Sequence, residues 1–183
     1  VLGDVGAYLF YLTKGPFTNV LSMFPGVYRL KGMEGELIGV YTNKVPAGPY
    51  RGAGRPEASY LIERTVERLA REMGIDPAEF RAMNFVRREE FPYRTVTGHT
   101  YDSGDYEAAL RKALDLLGYR QMRGLKERAR AEGKLVGIGL STYVEVCNFA
   151  SQSARVVVGE DGKVTVYTST MPHGQGEQTA FAQ

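Results

Sequence analysis

The spacing of apolar residues changes once along the chain, near Gly133, and that change limits what the chain can fold into. Before it, the regular stretches repeat every three to four residues; after it, they alternate. Pro56 to Met73 is the clearest helix. Ala58, Leu61, Ile62, Val66 and Leu69 fall on one stripe, expected to be buried, with Glu63, Arg64, Glu67 and Arg71 on the wet side. Pro56 suits the first turn and Gly74 the left-handed residue that ends a helix. Asp76-Pro77-Ala78-Glu79 has the pattern of a capped start and predicts a short helix to about Asn84. A further helix is expected from about Gly104 to Leu117, burying Tyr106, Leu110, Ala113, Leu114 and Leu117. Residues 119–132, highly charged, read as a solvated connecting helix.

Val5 to Leu12, Glu36 to Tyr41 and Leu135 to Val146 read as strands. Ala154 to Val158 and Lys163 to Thr168 flank Glu160-Asp161-Gly162, a hairpin turn signal. The expected fold class is therefore α+β, mixed β-sheets with packed helices, in two lobes: 1–133 and 134–183.

Several function classes are excluded by composition. The net charge is +2 and the pI about 8.6, but basic residues alternate with acidic ones, as in Glu63-Arg64 and Glu67-Arg68. That is a solvated helix face and not a nucleic-acid stripe. No apolar run is long enough for a membrane span. The only cysteine, Cys147, permits no intrachain disulfide and fits a reducing, cytoplasmic compartment. It also cannot hold an iron–sulfur cluster, and His99 and His173 lie far apart with no metal-ligand spacing. Val1 to Phe10 lacks the basic start of a signal peptide, and the chain has no initiator Met. Thr179 to Gln183 reads as a helix opening, so an internal piece of a longer chain is expected. Unfinished sheet edges in such a piece would favour pairing with a second copy.

Two glycine-rich segments combine exposed backbone with polar groups. Gly48-Pro49-Tyr50-Arg51-Gly52-Ala53-Gly54-Arg55 feeds the start of the Pro56 helix. Its amides, two arginines and the helix dipole suit an anionic group. The same residues equally make a tight turn with two surface arginines. His173-Gly174-Gln175-Gly176 follows a strand, and Gln175 between two glycines offers one acceptor and two donors. This too reads equally as a polar turn. The residues alone leave both choices open.

Taken in order, longer stretches resemble a known family. Thr42-Asn43-Lys44-Val45-Pro46-Ala47-Gly48-Pro49-Tyr50-Arg51-Gly52-Ala53-Gly54-Arg55-Pro56-Glu57-Ala58 is similar to the active-site loop and following helix of molybdenum hydroxylase large subunits, the xanthine dehydrogenase, aldehyde oxidase and carbon monoxide dehydrogenase group. Gly137-Ile138-Gly139 and His173-Gly174-Gln175-Gly176, ending Phe181-Ala182-Gln183, resemble the start of that family's second cofactor-binding region. Phe91-Pro92-Tyr93 and Tyr101-Asp102-Ser103-Gly104-Asp105-Tyr106 fit the stretch between.

The resemblance implies a molybdopterin, as its cytosine dinucleotide, whose dithiolene holds molybdenum without a protein ligand. It implies that Arg51, Gly52, Ala53, His173, Gly174, Gln175 and Gly176 bind the cofactor, with both loops on one pterin, and that Tyr50, Ala53 and Leu140 line the substrate pocket. Iron–sulfur and flavin (FAD) subunits, together with the rest of the large subunit, would be the partners. Copper-dependent carbon monoxide dehydrogenases carry a Cys at the position of Gly52, and xanthine oxidases carry two Phe at positions matched to Ala53 and Leu140. An aldehyde or heteroaromatic substrate, hydroxylated at a C–H bond with water-derived oxygen, is therefore expected rather than CO or a purine. The family's upstream glycine–phenylalanine–glycine loop and its general-base glutamate near the C-terminus have no counterpart here, so no catalytic residue is assigned and the isolated chain is expected to be inactive. A stand-alone phosphate- or ligand-binding module and a purely structural piece are the other readings.

Overall fold

The computed structural model describes residues 1–10, 12–146 and 152–183; Cys147 lies outside them. The chain forms two compact units, Val1–Val144 and Glu145–Gln183.

The first unit opens with β1 (Leu2–Gly6), which pairs in parallel with β2 (Ile38–Tyr41), Leu2 opposite Ile38 and Asp4 opposite Val40. The strand expected to continue to Leu12 stops at Gly6, whose φ of 76° turns the chain. α1 (Lys14–Met23), not among the expected helices although Phe17, Val20, Leu21 and Phe24 have helical spacing, follows and buries Val20 and Met23. Its Pro16 falls in the first turn, where a backbone N–H has no helical partner to lose.

α2 (Arg55–Glu72) is the expected central helix, with its buried face turned. Ala58, Ile62, Glu63, Val66 and Ala70 are buried, whereas Leu61 and Leu69 are 39% and 43% exposed. The stripe is centred on Glu63 because α3 (Pro77–Asn84) brings Arg81 onto that carboxylate. A tertiary ion pair has overridden the hydrophobic pattern. α3 itself starts as expected, the Asp76 side chain accepting from the amides of Ala78 and Glu79 at 2.8 and 3.3 Å.

Val27, Tyr28, Ile62, Val66, Phe85 and Leu110 form the core, and Phe80, Tyr106 and Val144 pack against it. β3 (Tyr93–Arg94) and β4 (Thr100–Tyr101) make a small antiparallel pair. α4 (Tyr106–Leu117), capped by Asp105, buries Leu110 and half-buries Tyr106 and Leu114. Ala113 and Leu117 are exposed, contrary to expectation. Gly118, at φ 65°, separates α4 from α5 (Tyr119–Ala131), the charged helix expected there.

Leu135 to Val146 was expected as a long strand and pairs with no other strand among the described residues. Its period of two survives in its burial. Val136, Ile138, Leu140, Thr142, Val144 and Val146 are half-buried and the odd-numbered residues between them are exposed. Alternation sets which side chains turn inward, but a strand also needs a ladder partner.

In the second unit β5 (Ala154–Val158) and β6 (Val164–Thr168) form the expected hairpin, Val158 opposite Val164, with Gly162 at φ 78° in the turn. α6 (Glu177–Ala182) follows. Val156, Val158, Val164 and Val166 share one face of this two-stranded sheet and are all exposed. Together the helices and the parallel and antiparallel strand pairs are α+β.

Candidate cofactor-binding site

The loop before α2 is held at both ends by hydrogen bonds from the first unit. At its start, the amide of Ala7 donates to the carbonyl of Lys44 and that of Ala47 to Val5, at 2.9 and 3.1 Å. Thr13, fully buried, donates its hydroxyl to the Ala47 carbonyl at 2.8 Å and accepts from the Phe10 amide. Asp4 accepts from the Thr42 hydroxyl at 2.7 Å and pairs with Lys44 at 2.9 Å. The Thr42 bond, then Lys44 and the Gly6 amide, hold the Asp4 carboxyl down at about 2.

At its end the loop makes three successive left-handed residues, Gly52, Ala53 and Gly54, at φ 98°, 46° and 95°. Glycine is required at two of these. A Cβ on Gly52 would lie 2.6 Å from the Pro56 ring, and one on Gly54 only 1.8 Å from the Pro16 carbonyl oxygen. The Ala53 amide donates to Tyr50 and the Arg55 amide and guanidinium to Gly52, while Asn19 of α1 donates to the Ala53 carbonyl at 2.8 Å. Among the described residues, the amides of Gly52 and Gly54 have no protein acceptor. Tyr50 is 88% exposed, Arg51 is exposed, and Ala53 is half-buried. The result is a left-handed backbone run with two amide donors and the exposed Arg51 guanidinium beside a helix N-terminus, a donor set for an anionic, oxygen-rich group. It fits the phosphate-bearing, oxo-rich character of a molybdopterin.

Leu140 is not brought to this loop. Its side chain lines openings of about 330 and 260 Å³ with Glu67, Arg71 and Ile138, and no residue of 50–54 lines either. Glu67 stands about 18 Å along the axis from the start of α2 at 1.5 Å per residue.

The second loop belongs to the other unit. Gly174 and Gly176 are left-handed, at φ 87° and 82°. The Gln175 side chain turns back on its own loop. It donates to the Met171 carbonyl at 3.1 Å and to Glu177 at 2.7 Å, and accepts from the His173 amide. Its donors are satisfied locally and would have to exchange partners to reach a ligand. The contributions of Asn19 and Thr13 were not legible in sequence, because both act through hydrogen bonds to carbonyls thirty-four residues away.

Among the described residues, no group of three His, Cys, Asp or Glu could hold a metal ion, and no helix is long and apolar enough to cross a membrane. Two molybdopterin cofactor-binding domain families match, one over residues 1–85 and the other over residues 112–183. The carbon monoxide dehydrogenase large chain of Hydrogenophaga pseudoflava is 41% identical over 93% of this chain and 23% of its own length. The quinoline 2-oxidoreductase of Pseudomonas putida 86 superposes with a TM-score of 0.88 at 32% identity, over 99% of this chain and 25% of that one. A Cu,Mo-CO dehydrogenase superposes with a TM-score of 0.74, also at 32% identity and with the same coverage.

Fold, loop and sequence place the chain in one class: it belongs to the molybdopterin-binding large-subunit family of molybdenum hydroxylases and dehydrogenases. It spans about a quarter of the length of these relatives.

Proposed function

We propose that this chain works as part of a large subunit that binds molybdopterin with molybdenum and hydroxylates a C–H bond of an aldehyde or heteroaromatic compound with water-derived oxygen. The observation that carries the reading is the left-handed run Gly52-Ala53-Gly54, in which the amides of Gly52 and Gly54 have no acceptor among the described residues. Bound molybdopterin supplies the redox centre at which the substrate is oxidised.

The chain's own residues bind and shape. Arg51 with the amides of Gly52 and Gly54 neutralises anionic oxygens of the cofactor, and Ala53 belongs to the same contact surface. His173, Gly174, Gln175 and Gly176 hold another part of it, in its cytosine dinucleotide form. Tyr50 and Ala53 line the substrate's approach. Leu140, which lines openings with Glu67 and Arg71, completes the expected pocket lining in this reading. Residues 1–133 belong to one cofactor-binding lobe and 134–183 open the next.

Gly52 also bears on the substrate. It stands where copper-dependent carbon monoxide dehydrogenases carry a cysteine, which supports a substrate other than CO. This reading assigns no acid of the chain as the general base. Glu57 is exposed in the first turn of α2, Glu177 accepts from Gln175, and Glu63 is occupied by Arg81, Tyr28 and Thr142. The general base and the iron–sulfur and FAD partners that carry the electrons away lie in the rest of a cytoplasmic complex.

The test compares the 183-residue chain alone with the complete subunit assembled with its partners, each given aldehydes, N-heteroaromatics, purines and CO with a dye acceptor. Turnover of an aldehyde or heteroaromatic by the assembly, and of nothing by the chain alone, is expected. Turnover by the chain alone, or of CO by the assembly, overturns the reading.

A further inference from the structure

Ala53 is the one non-glycine residue with positive φ among the described residues, at 46°. An L residue enters that region only when its surroundings hold it there. The hold comes from α1. The Asn19 side chain donates Nδ2–H to the Ala53 carbonyl at 2.8 Å. One turn earlier on the same face, the Pro16 carbonyl occupies the space a Cβ on Gly54 would need. An Asn inside a helix is otherwise a poor choice, since its side chain competes with the helix backbone for hydrogen bonds.

The direction of that bond matters for the loop. The peptide joining Ala53 to Gly54 is planar and trans, so its carbonyl and its N–H point opposite ways. With the carbonyl drawn to Asn19, the Gly54 N–H is turned away from α1. The peptide joining Gly52 to Ala53 is held separately, its N–H on Tyr50 and its carbonyl on Arg55. Asn19 therefore governs one amide, that of Gly54, which has no protein acceptor among the described residues.

We infer that Asn19 is a positioning residue: it locks Ala53 in the left-handed conformation and aims the Gly54 amide at an anionic oxygen of the group the loop binds. The inference rests on the proposal that the 50–54 loop meets the cofactor. It adds a residue that touches neither cofactor nor substrate.

The test has an arm without cofactor and one with it, both on the complete subunit. In the cofactor-free subunit, amide exchange of the 50–58 segment is compared in wild type, Asn19→Ala and the near-isosteric Asn19→Asp. Both variants should exchange roughly five- to tenfold faster there, the effect of one lost hydrogen bond, with exchange of the α2 interior unchanged. In the loaded enzyme, both should keep their molybdenum but lose about 10- to 100-fold in kcat and shift the molybdenum paramagnetic resonance signal. Adding Ala53→Gly to Asn19→Ala should slow nothing further and should restore kcat towards that of Ala53→Gly alone, because glycine takes positive φ without an anchor.

Unchanged exchange and unchanged kcat in both Asn19 variants, with Gly52→Val still damaging, would overturn the positioning role and leave the cofactor reading standing. Loss of molybdenum together with faster exchange throughout α2 in both variants, with no rescue by Ala53→Gly, would show Asn19 to be structural only. If Gly52→Val is also without effect, the cofactor reading fails and takes this inference with it.

Discussion

Arg81 and Glu63 meet as a buried ion pair, Nε donating to Oε2 at 2.9 Å with the two side chains 0% and 6% exposed. The pair is fully furnished. Arg81 also donates to Glu67, to the Pro77 carbonyl and to the Leu140 carbonyl, at 3.1, 3.0 and 3.0 Å. Glu63 also accepts from the hydroxyls of Tyr28 and Thr142. Burial works against the guanidinium's charge, but the bond and charge of Glu63 outweigh it and keep Arg81 protonated, while burial and Glu63 push the Tyr28 hydroxyl well above its usual range. The network ties α2, α3 and the 138–144 segment together at the back of the loop-bearing helix.

Breaking this pair from one side should be costly. Arg81→Met leaves a buried carboxylate unpaired and should lower stability by about 3–5 kcal/mol in urea unfolding. Glu63→Leu combined with Arg81→Met should recover most of that loss, because no lone charge remains buried. A cost below about 1 kcal/mol for Arg81→Met would show that the charge is not sealed from water.

The burial of α2 gives a second expectation. Ile62→Ala empties a packed core site and should cost about 2–5 kcal/mol. Leu69→Ala, at a side chain 43% exposed, should cost less than about 1 kcal/mol. Equal losses from the two substitutions would contradict the orientation of the helix.

These two residues also show where sequence reasoning reached its limit. Local signals were legible. Asp76-Pro77 starts α3, Gly74 and Gly118 end helices, and Asp161-Gly162 turns the hairpin, because each acts within a few residues of itself. The rotation of α2 was not, because Glu63 is buried against partners distant in sequence, Tyr28, Arg81 and Thr142. Leu135–Val146 kept its alternation but has, among the described residues, no neighbour that would make it a strand. In the candidate site the glycines of both loops were legible by type. Asn19 was not, because its bond crosses from α1 to a carbonyl thirty-four residues on.

Acid should loosen the start of the loop through Asp4. Its carboxyl sits at about 2 in the folded chain because of Thr42, Lys44 and the Gly6 amide, against about 3.9 unfolded. A folded value below the unfolded one means the stabilisation is complete above about pH 4 and is lost as pH falls towards about 2. Unfolding followed across that range should show wild type losing more stability than Asp4→Asn, whose contribution is constant. Parallel curves for the two proteins would show that Asp4 does not anchor the segment.

Cofactor retention tests the central claim most directly. The complete subunit, prepared with Gly52→Val and separately with Gln175→Ala, is assayed for molybdenum bound per subunit. Gly52→Val puts a branched side chain where a Cβ already meets Pro56 at 2.6 Å, so it should strip most of the metal by deforming the loop. Gln175→Ala should weaken retention by roughly 1–3 kcal/mol if the amide leaves a buried partner unmet. Full molybdenum content and unaltered activity in both variants would contradict the assignment of these loops to the cofactor.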